Sequence, residues 1–496
     1  MMLNIQNTID YFSSDYHKSF FPLSTNEIVI KNSGEELYKY IYEKLLKNDD
    51  AQEYNFLPQI RCYSAKHDMH LRSTFKLDPV AEFFIYDLVY RNRKYFRKDF
   101  NENRRSFGHT FKQGKPVSLA LAYREFKKSV TEANHDYKYC LKLDISAYFN
   151  SIYHHDLVQW FKRILQEQQG SKDPEHLGKF LRQINSGRSV DCLPKGIHPC
   201  KVIGSEFLKF IDNSMQLKCD LLLRFMDDIY IFANKNRVIN HDFLWIQQRA
   251  GEQGLNINSS KTKYGDLGII EVSGKIEEVR KQLLRMRTEM ISDYYESEEE
   301  SHDLTLSNEQ EEYLYHLLNN PELEEADADL ILTFMKENVK DVLENIKIFL
   351  YKFPNLIKKI YYYSTFVENK SDLLEIISEF LDEAEIVTEE QLFWITKIVE
   401  DYLPTTGKYS YLLIKIYEHK NSSKISKSKI LEIPENRFGM PDLRYDHLKE
   451  GKADWLSWSS AVGSRCLPKS QRNSILSYFG NVSPINYLIA ETVKKL

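Results

Sequence analysis

Apolar and polar positions follow two different rhythms along this chain of 496 residues. In the first part, short runs alternate with a period of two, the spacing of half-buried strands. Cys140-Leu141-Lys142-Leu143-Asp144-Ile145 and Leu221-Leu222-Leu223-Arg224-Phe225 predict strands, and Ile229-Tyr230-Ile231-Phe232-Ala233 predicts the return strand of a hairpin with Asp227-Asp228 at its turn. Helical stretches lie between them, from Leu157 to Leu165 and from Ser205 to Met215. Periodicity then fails from Asp293 to Asp303, where acidic residues crowd together, and this marks a linker over 293–307. Beyond it apolar residues recur at helical spacing over Glu312–Leu318, Ala328–Glu337, Val339–Tyr351, Leu356–Val367, Leu373–Leu381, Glu390–Leu403 and Tyr411–Tyr417. Seven helices with short joints predict an α-solenoid of stacked pairs or an irregular helical bundle. The chain thus reads as an α+β module over 1–292, an acidic linker, and an all-α domain over 308–496.

Bulk composition narrows the class. Apolar residues make up 42% of the chain and charged residues 28%, as in a soluble globular protein, and no apolar run reaches membrane-spanning length. The N-terminus lacks the basic start and apolar core of a signal peptide. Six cysteines are scattered without a Cys-x-x-Cys pair, which speaks against a disulfide framework or zinc knuckle and for a reducing cytoplasm. Net charge is −5, but it is unevenly spread: residues 1–292 hold 44 basic and 36 acidic side chains, and residues 293–496 hold 23 basic and 36 acidic. A basic front and an acidic rear point to a polyanion partner at the front.

The candidate chemistry begins with Asp227-Asp228. Two adjacent carboxylates framed by strand-forming apolar residues call for a counter-charge, because burying unpaired acids costs several kcal/mol; a divalent metal is the usual one. Asp144, where a strand gives way to a helix, supplies a third carboxylate. Here a resemblance becomes specific. Asp144-Ile145-Ser146-Ala147-Tyr148-Phe149-Asn150-Ser151-Ile152 resembles the first palm motif of reverse transcriptases, especially those of group II introns and retrons, and Phe225-Met226-Asp227-Asp228 resembles their second acidic motif. Gly254 to Thr262 resembles the Gly-Leu-x-x-Asn-x-x-Lys-Thr segment, and Ser106 to Phe111 resembles a fingers motif without its Arg and Pro. The resemblance spans about residues 55–290.

It implies a two-metal site in which Asp144, Asp227 and the Ile145 carbonyl hold Mg²⁺ ions roughly 3.5–4 Å apart, with Asp228 as a supporting ligand. Phe149 matches the gate that rejects a 2′-hydroxyl and favours deoxynucleotides. Lys261 would approach the β- and γ-phosphates, and Lys66 and Arg72 at a fingers hairpin would clamp the triphosphate. One signature departs from the family. The Gly-x-Pro-Gln-Gly-x-x-x-Ser segment is replaced by Lys195-Gly196-Ile197-His198-Pro199-Cys200-Lys201-Val202-Ile203-Gly204-Ser205, without the Gln-Gly that contacts the templating pair. In place of a small thumb the chain continues in acidic helices, whose charge would repel a long duplex.

Retained acids, lost Gln-Gly and an α-helical tail together resemble the abortive-infection and other defence-associated reverse transcriptases of bacteria, in which a fingers–palm module precedes a HEAT-like helical repeat domain. The resemblance implies a cytoplasmic DNA polymerase acting in anti-phage defence on deoxynucleoside triphosphates. It would be protein-primed and template-independent, with single-stranded DNA attached to the protein, and homo-oligomeric. Two alternatives stand beside it: DNA synthesis templated by a bound non-coding RNA, and a catalytically silent, phage-sensing scaffold. A tyrosine hydroxyl can replace a sugar hydroxyl as nucleophile, but the 32 tyrosines single out no primer; Tyr11, Tyr16, Tyr294, Tyr295 and Tyr361-Tyr362-Tyr363 are candidates.

Overall fold

The computed structural model describes residues 2–47, 54–96, 101–166, 170–187, 193–265, 275–294, 306–435, 437 and 440–496. The alternating segments do form strands. A hairpin pairs β1 (Ile60–Ala65) with β2 (Leu71–Lys76) around a short turn at His67–Met69. A five-stranded sheet follows, built from β3 (Arg104–Phe107), β6 (Tyr139–Leu143), β7 (Leu221–Phe225), β8 (Asp228–Ala233) and β9 (Lys263–Tyr264) in the order β3-β7-β8-β6-β9; the two-residue strands β4 (Phe111–Lys112) and β5 (Lys115–Pro116) form a small ribbon beside it. β7 and β8 are joined by the tight turn at Met226-Asp227, so Asp228 already belongs to the return strand, pairing with Phe225.

The period-two pattern sorts the sheet's two faces. Leu141, Leu143, Ile229 and Ile231 belong to the main core. Cys140, Leu223, Tyr230 and Phe232 turn the other way, with Phe107, Phe126 and Val130, into a smaller core under the helix Leu119–Asp136. The helix expected over Ser205–Met215 is two pieces, His198–Phe207 and Lys209–Asp212. Its start lies earlier because Pro199, in the first turn, needs no N–H partner there.

The rear half is a run of helices from Asn308 to Lys495, consistent with an all-α repeat domain following an α+β reverse-transcriptase-like fingers–palm region. All seven expected helices are present. Five more follow, over Lys424–Leu431, Met440–Glu450, Trp455–Gly463, Lys469–Gly480 and Pro484–Lys495. Most of the acidic stretch expected as a linker (295–305) lies outside the described residues, as does Tyr295.

The rear helices close on the front. Glu432, buried beside Lys429, accepts hydrogen bonds from the backbone N–H groups of Ser24 and Thr25, each at 2.9 Å, and Ser33 and Thr492 share a 2.6 Å contact. Trp394 donates to the Phe20 carbonyl at 3.1 Å. The outer edge of β1 is covered by two carboxylates: Tyr63 N–H donates to Glu389 at 3.0 Å and Ala65 N–H to Glu390 at 2.6 Å. Carboxylates that make the rear acidic thus satisfy backbone donors of the front, at a strand edge that would otherwise stand unpaired.

Burial pushes the Glu390 carboxyl up to about 7, against the opposing pull of Ala65 N–H, Ser64, Lys358 and Arg72. Between the usual 4.5 and about 7 the folded chain therefore holds a proton that the unfolded chain has released. Stability contributed by this group falls as pH rises through that window and is level above it. Urea unfolding between about pH 5 and 8 should show the decline, and Glu390→Gln should remove up to about 3 kcal/mol of it. An unchanged slope in the variant would assign the pH dependence elsewhere.

Candidate active site

The antiparallel register of β6 and β8 ends at the pair Leu143–Ile229. Asp144 comes immediately after Leu143 and Asp228 immediately before Ile229, so both aspartates stand at the same end of the ladder. Asp227 is in the adjoining turn. Asp144 and the adjacent pair Asp227-Asp228, far from it in sequence, are therefore brought to one end of the sheet.

Asp144 is nearly buried, at 8% exposure, and is cradled by the segment Gly254–Thr262. Ile145 bridges Ile257, Ser146 N–H donates to the Asn256 carbonyl at 2.8 Å, and Asn258 N–H donates to the Asp144 carbonyl at 2.8 Å. The Asn258 side-chain amide then donates to one Asp144 carboxylate oxygen at 3.0 Å, and Lys261 Nζ lies 3.3 Å from the other. Ile145, expected to offer its carbonyl, is buried in the core by its side chain. Asp228 is met by Lys142 Nζ at 3.3 Å. Burial opposes the charge on Lys142, but Asp228 and Tyr230 outweigh it and hold the ammonium above its ordinary value.

Asp227 is the perturbed member. Burial, then the negative charges of Asp144 and Asp228, push its carboxyl up to about 6. The three carboxylates are a hard-oxygen donor set of the chemistry magnesium prefers. Among the described residues, however, no group of three or more His, Cys, Asp or Glu side chains is gathered closely enough to hold a metal ion. Ammonium groups already engage Asp144 and Asp228 and supply the local counter-charge.

The turn carrying Asp227 is strained. Met226 has φ +57°, a left-handed conformation that costs a non-glycine residue about 1–3 kcal/mol. Arg224 holds it. Its guanidinium, fully buried, donates to the Met226 carbonyl at 2.9 Å, to the Ser205 carbonyl at 3.0 Å, and to both oxygens of Asp212 from Nε at 2.8 and 3.0 Å. Burial opposes this charge, yet Asp212 keeps it above its usual value. Arg224 and Lys142 were given no role by the sequence, although a basic residue inside an apolar strand run is the available signal for both; Asn258 is the Asn of the Gly-Leu-x-x-Asn-x-x-Lys-Thr resemblance, which gave it no role.

Phe149 packs beside this edge against the helix His198–Phe207. A Cβ on Gly204 would come within 3.2 Å of its ring, and Tyr148 donates to the Gly204 carbonyl at 2.6 Å. The fingers hairpin reaches the same neighbourhood through Asn150, which donates to Ser73 Oγ at 3.0 Å, and through Thr74, hydrogen-bonded to Lys195. Lys66 is exposed at the hairpin turn, and Arg72 lies over the Phe20 ring at 5.6 Å from its centroid. Neither forms an ion pair with the three acids. The segment that departs from the Gln-Gly signature is packed from the front: Gly196, at φ +90°, has Phe20 so close that a Cβ would sit 2.6 Å from its ring.

Of the tyrosines expected as possible primers, three are core residues, Tyr361 and Tyr362 are half-buried, and the side chains of Tyr294 and Tyr295 lie outside the described residues. Tyr11, Tyr16 and Tyr363 are buried, with ionisation disfavoured by that burial, and Tyr11 shares a 2.6 Å hydrogen bond with His198. Tyr361 donates to Asp401 at 2.8 Å.

Residues 98–287 match the family model described as reverse transcriptase (RNA-dependent DNA polymerase). Solved structures similar to this chain include apo telomerase from Candida tropicalis, 12% identical, covering 81% of this chain and 71% of that one with a TM-score of 0.32. Telomerase complexes with a TWJ fragment of telomeric RNA are similar too. The Candida tropicalis complex is 12% identical, covers 78% of this chain and 68% of that one, and has a TM-score of 0.31. The Candida albicans complex is 11% identical, covers 77% and 69%, and also scores 0.31. No curated protein matches. The family match covers the five-stranded sheet and its helices; the likeness to the telomerase structures is too slight to assign this chain a partner.

Proposed function

We propose that this chain is a nucleotidyltransferase of the reverse-transcriptase type that extends DNA on a bound RNA template. The observation that carries the reading is Asp227, a carboxylate lifted to about 6 on a strained turn at the sheet edge where Asp144 and Asp228 also stand. Perturbed acids concentrated at one point are a mark of a chemical site, and the family matched over 98–287 is described as RNA-dependent.

In this reading Asp144, Asp227 and the Ile145 carbonyl would hold Mg²⁺, with Asp228 in support. Bound there, magnesium would activate the attacking hydroxyl and steady the leaving pyrophosphate. Lys261 and Lys142 would exchange their present carboxylate partners for phosphate oxygens of the nucleotide, and Lys261 would donate a proton to the departing pyrophosphate. Phe149 would exclude the 2′-hydroxyl, its ring backed by Gly204, and Lys66 and Arg72 would close over the triphosphate.

A second reading, protein-primed synthesis without a template, is favoured by the packing of Phe20 against Gly196, which fills the stretch where the Gln-Gly signature is missing. A role in phage defence and homo-oligomerisation rest on the family resemblance alone, and a cytoplasmic location rests on that resemblance and on the scattered cysteines.

The purified chain should be incubated with Mg²⁺ and each deoxynucleotide, with and without an RNA template and DNA primer, and run on denaturing gels before and after protease. Extension that needs the RNA supports the templated reading. Product formed without RNA that shifts on proteolysis replaces it with the protein-primed one. No product under either condition leaves the silent scaffold. If Phe149 is the gate, Phe149→Ala should raise ribonucleotide use relative to deoxynucleotide use by about tenfold or more, as loss of a steric contact worth about 1–3 kcal/mol implies; an unchanged ratio removes Phe149 from that role.

A further inference from the structure

Four acids stand at the start of the helix Glu325–Phe334: Glu324, which precedes its first turn, then Glu325, Asp327 and Asp329. Two segments of the front module meet them. Arg280, on the helix Lys275–Tyr294 that leaves the palm, donates to Glu324 at 2.8 Å and to Asp327 at 3.1 Å, and Arg287 of the same helix pairs with Asp329. His67, at the turn of the fingers hairpin, lies 2.6 Å from Glu325 through Nδ1. Within the rear, Glu325 also accepts from Asn355 at 2.8 Å, and Asp329 from Lys359. The helix leaving the palm and the fingers hairpin are thus fastened to one and the same element.

The two fastenings differ in kind. Asp327 and Asp329 are buried, and the guanidinium groups that meet them keep their charge at every pH the fold tolerates. The hairpin contact is exposed on its cationic side, and an imidazole changes charge near neutrality. Among the described residues three charged groups face His67. Glu325 meets it from the rear; Asp68, with an oxygen 3.4 Å from Nε2, and Lys66 belong to its own turn; the adjoining turn Pro354–Leu356 brings the uncharged Asn355. The hydrogen bond to Glu325 is the largest influence and holds the imidazolium above its ordinary value, with a lesser pull from Asp68 and an opposing push from Lys66. The turn needs such a tie. Lys66 to Leu71 are all exposed, so burial does not fix them, and Asp68 and Met69 have φ +54° and +59°, which a Cβ disfavours.

We infer that His67 and Glu325 form a pH-sensitive clasp, which fastens the fingers turn to the helix Glu325–Phe334 while the imidazole is protonated and releases it as the proton leaves. The folded imidazole holds its proton more tightly than a free one, so the contact is at full strength below the usual 6.5 and fades as pH rises through the higher folded value. The pairs of Arg280 and Arg287 persist throughout, which confines the release to the hairpin. Lys66 precedes His67 and Arg72 opens β2 beyond the turn, so the clasp sets how freely both cations move. It goes beyond the proposed function and holds whether or not the chain polymerises.

The test is amide hydrogen exchange of the full chain, read by mass spectrometry on peptides covering 66–71, with each rate divided by its intrinsic value at that pH. The reporters are the Lys66 and His70 amides, which donate to the His70 and His67 carbonyls at 2.7 and 3.3 Å. Their protection should fall as pH rises from acid to alkaline. In mildly acid buffer His67→Gln and Glu325→Gln should each lower it about two- to fivefold, the range an exposed ion pair implies, and the gap from wild type should close in alkaline buffer. Glu390 and Lys359, which burial brings to about 7 and about 8, titrate over the same range in all three chains, so the difference isolates His67. His67→Gln strands no buried group, and Glu325→Gln keeps an acceptor for Asn355, so neither should disturb the fold. Loss of protection in His67→Gln alone would place the ion pair on Asp68 and overturn the clasp. A gap that stays constant with pH, the mark of a neutral hydrogen bond, or variants that match wild type throughout would overturn it as well.

Discussion

Asp227→Asn should reduce nucleotide incorporation by about a thousandfold or more, because metal-assisted transition-state stabilisation is worth several kcal/mol. The same substitution should leave the fold intact and raise its stability near neutral pH. The acid's folded value of about 6 lies above its usual 3.8, so the native chain retains a proton that the unfolded chain loses between those limits. Above about pH 6 the folded state carries an ionised carboxylate next to Asp144 and Asp228, at a cost of up to about 3 kcal/mol. Asparagine removes that cost. Its advantage in urea unfolding should be full above pH 6 and should vanish as pH falls toward 4, where the native acid is protonated. A variant that incorporates nucleotide at near the wild-type rate would refute the enzymatic role of this edge. A variant that is inactive and also less stable at pH 7.5 would refute the electrostatic account.

Arg224→Met should cost about 3–5 kcal/mol of stability, the usual penalty for breaking a buried ion pair from one side. Its partner Asp212 is 3% exposed in its side chain and cannot recover hydration. The Ser205 and Met226 carbonyls lose donors at the same time. A second substitution separates structure from function. Adding Asp212→Leu removes the stranded carboxylate and should recover most of the lost stability, since well-packed apolar replacements of buried pairs are often neutral. The Met226 carbonyl would still lack its donor, and the strained turn bearing Asp227 would be free to relax. Incorporation should therefore stay at least about tenfold below wild type in the double variant, the loss that one charge-assisted hydrogen bond implies. Full recovery of activity along with stability would show that Arg224 serves the core alone and does not position the turn.

The anchoring of the rear helices gives their acidic composition a physical meaning. Glu389, Glu390 and Glu432 are spent on backbone donors of the N-terminal segment and β1, while Glu325 meets His67 at the hairpin turn at 2.6 Å. The acidity that suggested a surface repelling nucleic acid is in part the complement of this chain's own front.

Helices were legible where burial is one-sided. Val339–Lys352 presents Val342, Leu343, Ile346, Phe349 and Leu350 to the core and shows the helical period plainly. Trp455–Gly463 is buried along almost its whole length, at Trp455 and from Ser457 to Gly463, so no polar face sets a period and nothing in its pattern announces a helix. Lys424–Leu431 is hidden for the same reason, with Ser426, Ser428 and Lys429 buried among its apolar residues.

Local sequence determined the strands, the hairpin that carries Asp227-Asp228, and the run of amphipathic helices behind them, because each depends on side-chain alternation within a few residues. Tertiary structure alone decided that Gly254–Thr262 would cradle Asp144, that Lys142 and Lys261 would neutralise the acids, that Arg224 would brace the turn, and that rear glutamates would cap β1. Those arrangements join residues up to several hundred positions apart. Their energies come from desolvation and from the pairing of charges that meet only when the chain is folded.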